Sequence, residues 1–311
     1  MGKIVRDIQD TLLGKRYFVY EDIGKDNWLY PLDLDFTLEN EEMHYCPKDD
    51  AGIPIKVYES VGKQYNPTRV AAYGLANWNC FRKTNQTHYR ECFMRSVDWF
   101  AAQDDGLWRY LFDLEGVRAP WISCMAQGEG ISILARAYIM QQQPDFLAIA
   151  ERALSPFQTD VAQGGVRSFL DSGDLFFEEF PGNRYAKNVL NGFLYAVVGI
   201  IELKRISTLS IISDLLAQLT NTLERNIHRW DLGYWSAYDL NNEREAGPRN
   251  ACTAAYNSLH IAQLFYLSQA LDSRILGEYA AKWNRYHDSQ LCRIKAVAAK
   301  VKYRLLYPAQ R

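Results

Sequence analysis

The feature that most constrains the fold is a helical period of apolar residues that recurs from about residue 87 onwards. Two stretches show it well, RECFMRSVDWFAAQ and MAQGEGISILARAYIMQQ, in which apolar residues recur at intervals of three and four, the period of an amphipathic helix. Further helices are predicted over 145–154, 189–204, 211–227, 254–270 and 272–289, with loops at QGG, PGN, DLGYW and EAGP. About seven helices joined in this way indicate a mainly α protein built from helical hairpins.

Small residues in two of these helices favour close packing between them. Gly128, Gly130 and Ala135 lie in the first, and Gly192 and Gly199 in the second. Helical hairpins with long aromatic loops favour an α/α toroid, an incomplete barrel in which inner and outer helices alternate and the loops at one end line a groove. A plain helical bundle is the alternative. No repeat is visible in the sequence, so periodicity alone does not decide between the two.

The N-terminal quarter of the chain has a different pattern. YFVYED, NWLYPLDLDF and GIPIKVYESV suggest short strands, separated by the turn-rich CPKDDAG. We therefore divide the chain into a short, partly β arm over residues 1–80, which packs on the main domain, and a helical domain over residues 81–311.

Composition excludes some classes of function. A formal net charge of −2 on 311 residues gives no reason to expect a nucleic-acid partner. The six cysteines form neither a CxxC pair nor a metal-type spacing with histidine, so we expect reduced thiols and no metal site. The start MGKIVRDIQDTLLG lacks the apolar region of a signal peptide, and we expect a cytoplasmic protein. Twenty Tyr and 8 Trp are a weak indication of carbohydrate binding, and equally typical of a large core.

The C-terminal CRIKAVAAKVKYRLLYPAQR interleaves basic with apolar residues. It either packs on the domain as a last helix with its charged face in water, which we expect, or makes a peripheral contact with the inner face of an anionic membrane. The sequence also leaves a homodimer open.

The stretch FFEEFPG places two adjacent carboxylates, Glu178 and Glu179, among phenylalanines. In an extended segment the two side chains point in opposite directions, so one can face a groove while the other makes a structural contact. Such a contact is a helix cap or an ion pair with Arg184 or Lys187. A carboxylate among aromatic rings is desolvated, which raises its pKa and suits acid–base work near neutral pH.

Other stretches also combine polar groups with aromatic residues in predicted loops, namely DDGLWRY, PWISCMAQGEG, LNGFLY, YWSAYDL and NACTAAYNSLH. His260 lies four residues after Tyr256 on the predicted helix 254–270, so both can lie on one face. A core histidine is the commoner interpretation of such a position, and Tyr238 and Tyr256 are ordinarily packing residues. None of these stretches resembles a phosphate loop or a nucleophile elbow.

Several motifs nevertheless match one known family when they are taken together. They are SCMAQGEGISILARAY (123–138), FFEEFP with VLNGFLYAVVGIIEL (176–203), the tyrosine of SAYDL and AYNSLHIAQL (255–264), with YNPTRVAAYGLANW (65–78) and DDGLW upstream. The chain resembles the C-terminal domain of the D-glucuronyl C5-epimerases, which invert C5 of glucuronate within heparosan-type polysaccharides. Only a short segment separates Tyr73 from Trp108, so the β-domain and calcium site of the animal enzymes are not expected, and the chain resembles compact bacterial members.

The resemblance implies an α/α barrel and a set of roles. It makes Glu179 the catalytic glutamate, Tyr256 the tyrosine on the opposite face of the sugar, and Tyr238 a catalytic tyrosine near the substrate carboxylate. Asn191 and Tyr195 become substrate contacts. We add to the predicted substrate-binding set the members of the polar, aromatic stretches: Trp108, Gln127, Phe180, Asn250 and His260. In this hypothesis Glu179 and Tyr256 exchange protons with C5 from opposite faces, and Glu178 makes the structural contact. No cofactor is needed, and the expected partner is a uronate-containing polysaccharide.

The sequence departs from the family pattern near two of these residues. Phe180 stands where the family usually has tyrosine, and Asn241 where an arginine is expected, while the family's WDYH reads AAYN around Tyr256. The anion-binding set is therefore depleted. The arginines that could compensate are Arg109, Arg167, Arg244 and Arg249.

Three other functions remain open from the residues. A polysaccharide lyase removes the same C5 proton but then eliminates the C4 substituent. A glycoside hydrolase needs a second essential acid, for which Asp104, Asp105 and Asp239 are available. A glycan-binding protein without catalysis is the third.

Overall fold

The computed structural model describes residues 2–20, 28–183, 188–242 and 247–307. The helices of these residues are α1 (Gly2–Leu13), α2 (Asp35–Glu39), α3 (Glu41–Tyr45), α4 (Pro67–Thr84), α5 (Thr87–Ala101), α6 (Cys124–Gln141), α7 (Pro144–Arg152), α8 (Ser155–Gln158), α9 (Leu190–Lys204), α10 (Ser210–Asn226), α11 (Ala254–Ala270), α12 (Arg274–Asp288) and α13 (Gln290–Leu306). Two 3₁₀ turns cover Val161–Gln163 and Ile227–Trp230.

Six short strands pair as three separate antiparallel hairpins. They are β1 (Lys56–Tyr58) with β2 (Gly62–Gln64), β3 (Arg109–Tyr110) with β4 (Trp121–Ile122), and β5 (Arg167–Phe169) with β6 (Leu175–Phe177). In the last of these hairpins Arg167 is opposite Phe177 and Phe169 is opposite Leu175. The strands lie between helices and shape the loops, so the fold is mainly α, as predicted.

The long helices form an incomplete α/α toroid. Helices α4, α6, α9 and α11 pack side by side as an inner layer, and each contacts the helix that follows it or precedes it in a hairpin. Their hairpin partners α5, α7, α10 and α12 form the outer layer. The predicted helices over 189–204, 211–227, 254–270 and 272–289 are confirmed to within two residues at each end.

The inner helices α6 and α9 are buried on all sides and cross at close range. Nearly every residue of α6 from Cys124 to Ala137 and of α9 from Leu190 to Leu203 is buried, which is typical of helices covered on all sides. At their crossing the backbones nearly touch, because a Cβ on Gly199 would lie 2.6 Å from the Cα of Gly128. The predicted role of these two glycines in close helix packing is confirmed.

A buried ion pair also joins α6 to α9. Arg136 donates two hydrogen bonds to the carboxylate of Glu202, at 2.7 and 2.6 Å, and both side chains are fully buried. Arg136 also donates to the carbonyl oxygens of Ser132 and Leu29, at 2.8 and 3.2 Å. The second of these contacts anchors the N-terminal arm to the inner layer.

Two of the three strands predicted in the arm are wrong. Residues 17–20 form no strand, 21–27 lie outside the described residues, and Asp35–Glu39 is helical. The extended backbone at Tyr30 pairs instead with a side chain of α4, since Asn79 accepts from the N–H of Tyr30 at 2.7 Å and donates to its carbonyl oxygen at 3.1 Å. The strand predicted within GIPIKVYESV is confirmed as β1, so the arm is partly β.

Helix α4 was not predicted, although its start carries a clear signal. The Asn66 side chain caps it by accepting from the N–H of Arg69 at 3.1 Å, and Pro67 occupies the first turn, where proline is favoured. Residue 80 lies inside this helix. The arm therefore passes into the toroid through a continuous helix.

The basic C-terminal segment forms α13, which packs on α1 and α12. Arg304 pairs with Asp7 at 3.1 Å, and Lys300 is directed inwards and donates to Asn250 at 2.8 Å. Leu305 and Leu306 are exposed. Contact of this face with a membrane stays a prediction. Within the described ranges no helix has the length and apolar character needed to span a bilayer.

Candidate active site

The two adjacent glutamates lie where β6 meets the N-terminus of α6. The N–H of Glu178 donates to the carbonyl oxygen of Val166 at 2.8 Å, and the N–H of Cys124 donates to the carbonyl oxygen of Glu178 at 3.1 Å. Cys124 also donates its thiol to the carbonyl oxygen of Phe177 at 3.4 Å. These bonds fix the backbone of the pair against the first turn of an inner helix.

Glu178 has a structural role in this arrangement. Its carboxylate accepts from the Ser168 hydroxyl at 3.0 Å, and from the N–H and side-chain amide of Asn188 at 3.1 and 3.0 Å. It therefore ties β5 to the residues that lead into α9. The prediction that Glu178 makes a structural contact is confirmed, while Arg184 and Lys187, its predicted partners, lie outside the described residues.

Glu179 points the other way, towards the start of α9. Its side chain is 8% exposed and accepts from the amide of Asn191 at 3.2 Å and from the backbone N–H of Gly192. Burial outweighs these two donors and raises the pKa of Glu179 to about 8. A carboxyl group with that pKa exists in both protonation states near neutral pH, as a general acid–base group requires.

Two tyrosines stand beside Glu179. Tyr256 lies in the first turn of α11 and Tyr238 in the preceding loop, and their rings meet edge to face at 5.1 Å. Tyr256 is 38% exposed, so this end of the site reaches the surface. Desolvation, and after it the negative charge of Glu179, raise the pKa of both hydroxyls. Both tyrosines therefore carry their protons at neutral pH.

The backbone of Tyr238 is held from both sides. Its N–H donates to the carbonyl oxygen of Asn250 at 2.8 Å, and its carbonyl oxygen accepts from the N–H of Leu190 at 3.1 Å. The Asn250 amide donates to Asp239 at 2.7 Å and accepts from Lys300 at 2.8 Å. Asn250 thus supports Tyr238 in this structure, and both ends of its amide are bound to protein groups.

Tyr195 lies one turn beyond Asn191 on α9. It is buried, and its pKa is raised by burial first and then by the charges of Glu129, Tyr256 and Glu179. The structure therefore brings together five of the predicted residues, namely Glu179, Asn191, Tyr195, Tyr238 and Tyr256. Phe180 is at the edge of this group, partly buried and tilted against Trp121 with the ring centroids 6.0 Å apart.

Three predicted substrate contacts lie in the core instead. Trp108, Gln127 and His260 are fully buried. Gln127 accepts from the N–H of Trp108 at 3.0 Å and donates to the carbonyl oxygen of Gly106 at 2.9 Å. Nδ1 of His260 is 3.0 Å from the Ser236 hydroxyl, and burial lowers the pKa of His260 to about 3. In this structure the three side chains stabilise loops and helices around the site.

Comparison with known proteins decides the family. The family model described as "D-glucuronyl C5-epimerase C-terminus" matches residues 101–285, which is more than half of the chain. The chain belongs to the D-glucuronyl C5-epimerase C-terminal family. The match includes Glu179, Tyr238 and Tyr256, so the resemblance on which the predicted roles depend is confirmed at the level of the family.

Individual relatives are more distant. A D-glucuronyl C5-epimerase of Caenorhabditis elegans is 27% identical over 225 residues, which cover 66% of this chain and 36% of that protein. An uncharacterized protein of Methanocaldococcus jannaschii is 25% identical over 182 residues, covering 57% of this chain and 56% of that protein. The chain thus spans only 36% and 56% of the lengths of these two relatives.

Among solved structures, a protein described as a novel alpha-amylase from Clostridium perfringens has a TM-score of 0.44 and 10% identity, with 96% of each chain covered. At that level of similarity nothing about the reaction follows.

The arginines proposed to compensate for missing family residues have other partners. Arg109 pairs with Asp105 at 2.8 Å, and Arg167 pairs with Asp160 at 2.6 Å. Arg249 donates to the carbonyl oxygen of Arg229 at 2.6 Å. Arg244 lies outside the described residues. Each of the three described arginines is therefore already bound to another protein group.

The carboxylates considered for a hydrolase differ in burial. Asp104 and Asp105 are exposed. Asp239 is buried and bound to the Asn250 amide at 2.7 Å and to the N–H of Asn241 at 3.1 Å, and burial raises the pKa of Asp239 to about 6. Sequence reasoning overlooked a further buried acid, Glu129 on α6. The signal was present, because a lone acid in an otherwise apolar helix is costly to bury.

Proposed function

We propose that this chain inverts C5 of glucuronate residues in a polysaccharide, by removing the C5 hydrogen from one face of the sugar and returning a hydrogen to the other. The observation that carries the proposal is Glu179, a buried carboxyl group whose pKa is raised to about 8, with Tyr256 and Tyr238 beside it. Glucuronate is proposed as the sugar because both the family model and the Caenorhabditis elegans relative are described as D-glucuronyl C5-epimerases. We propose a heparosan-like polymer on the same ground.

In the proposed reaction the Glu179 carboxylate takes the C5 proton as the C–H bond breaks, and charge moves into the uronate carboxylate. Tyr256 then gives its proton to C5 from the opposite face, which forms the new C–H bond and leaves a phenolate. A proton lost from Glu179 to solvent and one gained by Tyr256 restore the starting state. The raised pKa of Tyr256 suits this step, because the hydroxyl remains protonated at neutral pH and can transfer its proton to the carbanion at C5.

The proposal is tested by NMR of a glucuronate-containing polysaccharide incubated with the protein in heavy water. We expect deuterium at C5 and the appearance of iduronate. An unsaturated product would indicate a lyase, shortened chains a hydrolase, and binding without labelling a non-catalytic glycan-binding protein. Any of these three outcomes contradicts the epimerase.

The pH dependence should follow the raised pKa of Glu179. Only the ionised carboxylate accepts a proton, so below a pKa of about 8 the reactive fraction grows about tenfold per pH unit. We expect kcat/KM to rise through a midpoint near pH 8 for the epimer from which Glu179 removes the proton. In the reverse reaction the Tyr256 phenolate removes the proton and protonated Glu179 returns one to the other face. Its kcat/KM should rise through the same midpoint, because the equilibrium constant between the two epimers does not change with pH. A midpoint at the ordinary pKa of glutamate would contradict the role of burial.

Replacing Gly192 with alanine should misplace Glu179. A Cβ at residue 192 would lie 2.7 Å from the Cβ of Glu179 and 2.8 Å from its Cγ, so the glutamate must shift. Because displacement of a catalytic group by about 1 Å can lower a rate about 100-fold, we expect a loss of that order in C5 labelling. A matched control is Gly277→Ala on α12, where the new Cβ would make only an ordinary contact of 3.5 Å with Ser268. Equal labelling by both variants would show that the Glu179 position is not critical.

A further inference from the structure

Glu129 is a buried acid without a visible structural purpose. Its side chain is 1% exposed, and its Oε2 atom is buried with no hydrogen-bond partner among the described residues. Glu202, the other buried glutamate of this inner pair of helices, is bound at both oxygens by Arg136. An unpaired buried carboxyl group costs stability, so its presence in a packed helix indicates a use other than folding.

The packing of α6 on α9 places Glu129 one helical turn beyond Met125, which lies beside the Asn191 amide that binds Glu179. On α6, Met125 and Glu129 are four residues apart, and on α9 so are Asn191 and Tyr195, so each pair lies on one helix face. Met125 Sδ is 4.0 Å from the amide of Asn191, which binds Glu179. One turn further on, a Cβ on Gly128 would lie 2.6 Å from the Cα of Ala196. Glu129 is thus at the level of Tyr195, about 6 Å below Asn191 along the helices.

The surroundings of Glu129 favour its neutral form. Burial, and then the charge of Glu179, raise the pKa of Glu129 well above its usual range, and no cation of the described residues contributes. The titratable groups whose own pKa values respond to the charge of Glu129 are Tyr30, Tyr45, Tyr110 and Tyr195. Of two neighbouring carboxyl groups pushed apart in this way, one is the base and the other retains its proton.

We propose that Glu129 is a second acid of the site, which keeps its proton and donates a hydrogen bond to the carboxylate of a uronate bound against Glu179. This inference rests on the proposed function. The charge that leaves C5 moves into that carboxylate, so a preorganised donor lowers the barrier where the charge grows. A neutral carboxyl group can donate a hydrogen bond at a lower desolvation cost than a buried cation, which loses its hydration on burial. It also adds a donor to a site in which Phe180 lacks the hydroxyl that the family usually has.

Two variants separate a donor from a structural residue. Glu129→Gln keeps the shape and an N–H donor, and Glu129→Met keeps the approximate volume without a donor. We expect C5 labelling to fall about 100-fold in Glu129→Met and to stay within about tenfold of the wild type in Glu129→Gln. Glu129→Met should have a higher Tm, because a buried polar group without a partner is removed. Unchanged labelling or a lower Tm in Glu129→Met overturns the proposal. Labelling lost in Glu129→Gln as completely as in Glu179→Gln also overturns it, since Glu129 would then act as a base.

Infrared difference spectroscopy gives a readout that does not need turnover. The wild type at neutral pH should show the C=O stretch of a protonated carboxyl group that is missing in Glu129→Gln, and this band should shift when a heparosan oligosaccharide is added. Absence of the band, or a band that does not respond, overturns the role of Glu129. If the wild type shows no C5 labelling, the proposed function fails, and the infrared response to sodium glucuronate alone decides whether Glu129 donates to a uronate. Should Glu129→Met not fold, the Gln variant and the infrared band decide.

Discussion

Replacing Glu179 with glutamine is expected to abolish exchange of the C5 hydrogen while leaving the fold intact. Glutamine has the shape of glutamate and can still accept from the Asn191 amide, now 3.2 Å from the carboxylate, and from the N–H of Gly192. It cannot take a proton at neutral pH. Since a positioned acid–base group contributes about 10²–10⁴-fold to a rate, we expect labelling to fall by at least that factor, measured by NMR in heavy water.

The adjacent glutamate provides a matched control. Glu178→Gln removes the same charge one residue away, but Glu178 binds Ser168 and Asn188 rather than the site. The amide of this variant would face the N–H groups of Asn188, so we expect a loss of about 1–3 kcal/mol in the free energy of unfolding and labelling within about tenfold of the wild type. Equal loss of labelling in both variants would mean that neither residue is the specific base.

The contrast between the two glutamates shows what the sequence could predict about the site. Alternation along an extended segment already separated Glu178 from Glu179, and the family motifs identified Tyr238 and Tyr256 although they lie eighteen residues apart. Their edge-to-face contact depends on the loop that Asn250 holds. The sequence gives no distance between such residues.

The burial of three predicted contacts in the core has a common physical reason. Trp108, Gln127 and His260 stand in polar, aromatic stretches next to loops, as do the residues of the site. Whether such a side chain faces a groove or the interior depends on how each helix is rotated against its neighbours, and a rotation of one residue is about 100°. Glu129 carries a signal of its own, because a lone acid in an otherwise apolar helix is costly to bury.

The fold was more predictable in its outer parts than in its arm. Helices with one apolar face, such as α10 and α12, have sharp periodicity, and both were found with bounds close to those observed. Helix α4 was not predicted, although Asn66 and Pro67 mark its start. The predicted strand at NWLYPLDLDF failed because its extended backbone pairs with the Asn79 side chain and not with another strand.

The buried ion pair between α6 and α9 should have the largest effect on stability. Arg136→Met leaves the Glu202 carboxylate buried without a partner, and also removes the donor to the carbonyl oxygen of Leu29 in the arm. Breaking a buried pair from one side costs about 3–5 kcal/mol. We expect a loss of that size in the free energy of unfolding, measured by urea denaturation, with the m-value unchanged.

The double variant Arg136→Met/Glu202→Met separates the cost of the unpaired charge from the value of the pair. With both charges removed, neither helix carries an unpaired member of this ion pair, and apolar replacements of a buried pair are often neutral or stabilising. We therefore expect the double variant to regain most of the stability that Arg136→Met loses. A double variant as unstable as the single one would show that the pair itself contributes the energy.

The same double variant tests whether the ion pair positions the site. Because α6 carries Glu129 and α9 carries Asn191 and Tyr195, its C5 labelling measures how far the Arg136–Glu202 pair positions these residues. Labelling near that of the wild type would mean that the Gly128–Gly199 crossing alone sets the register of the two helices.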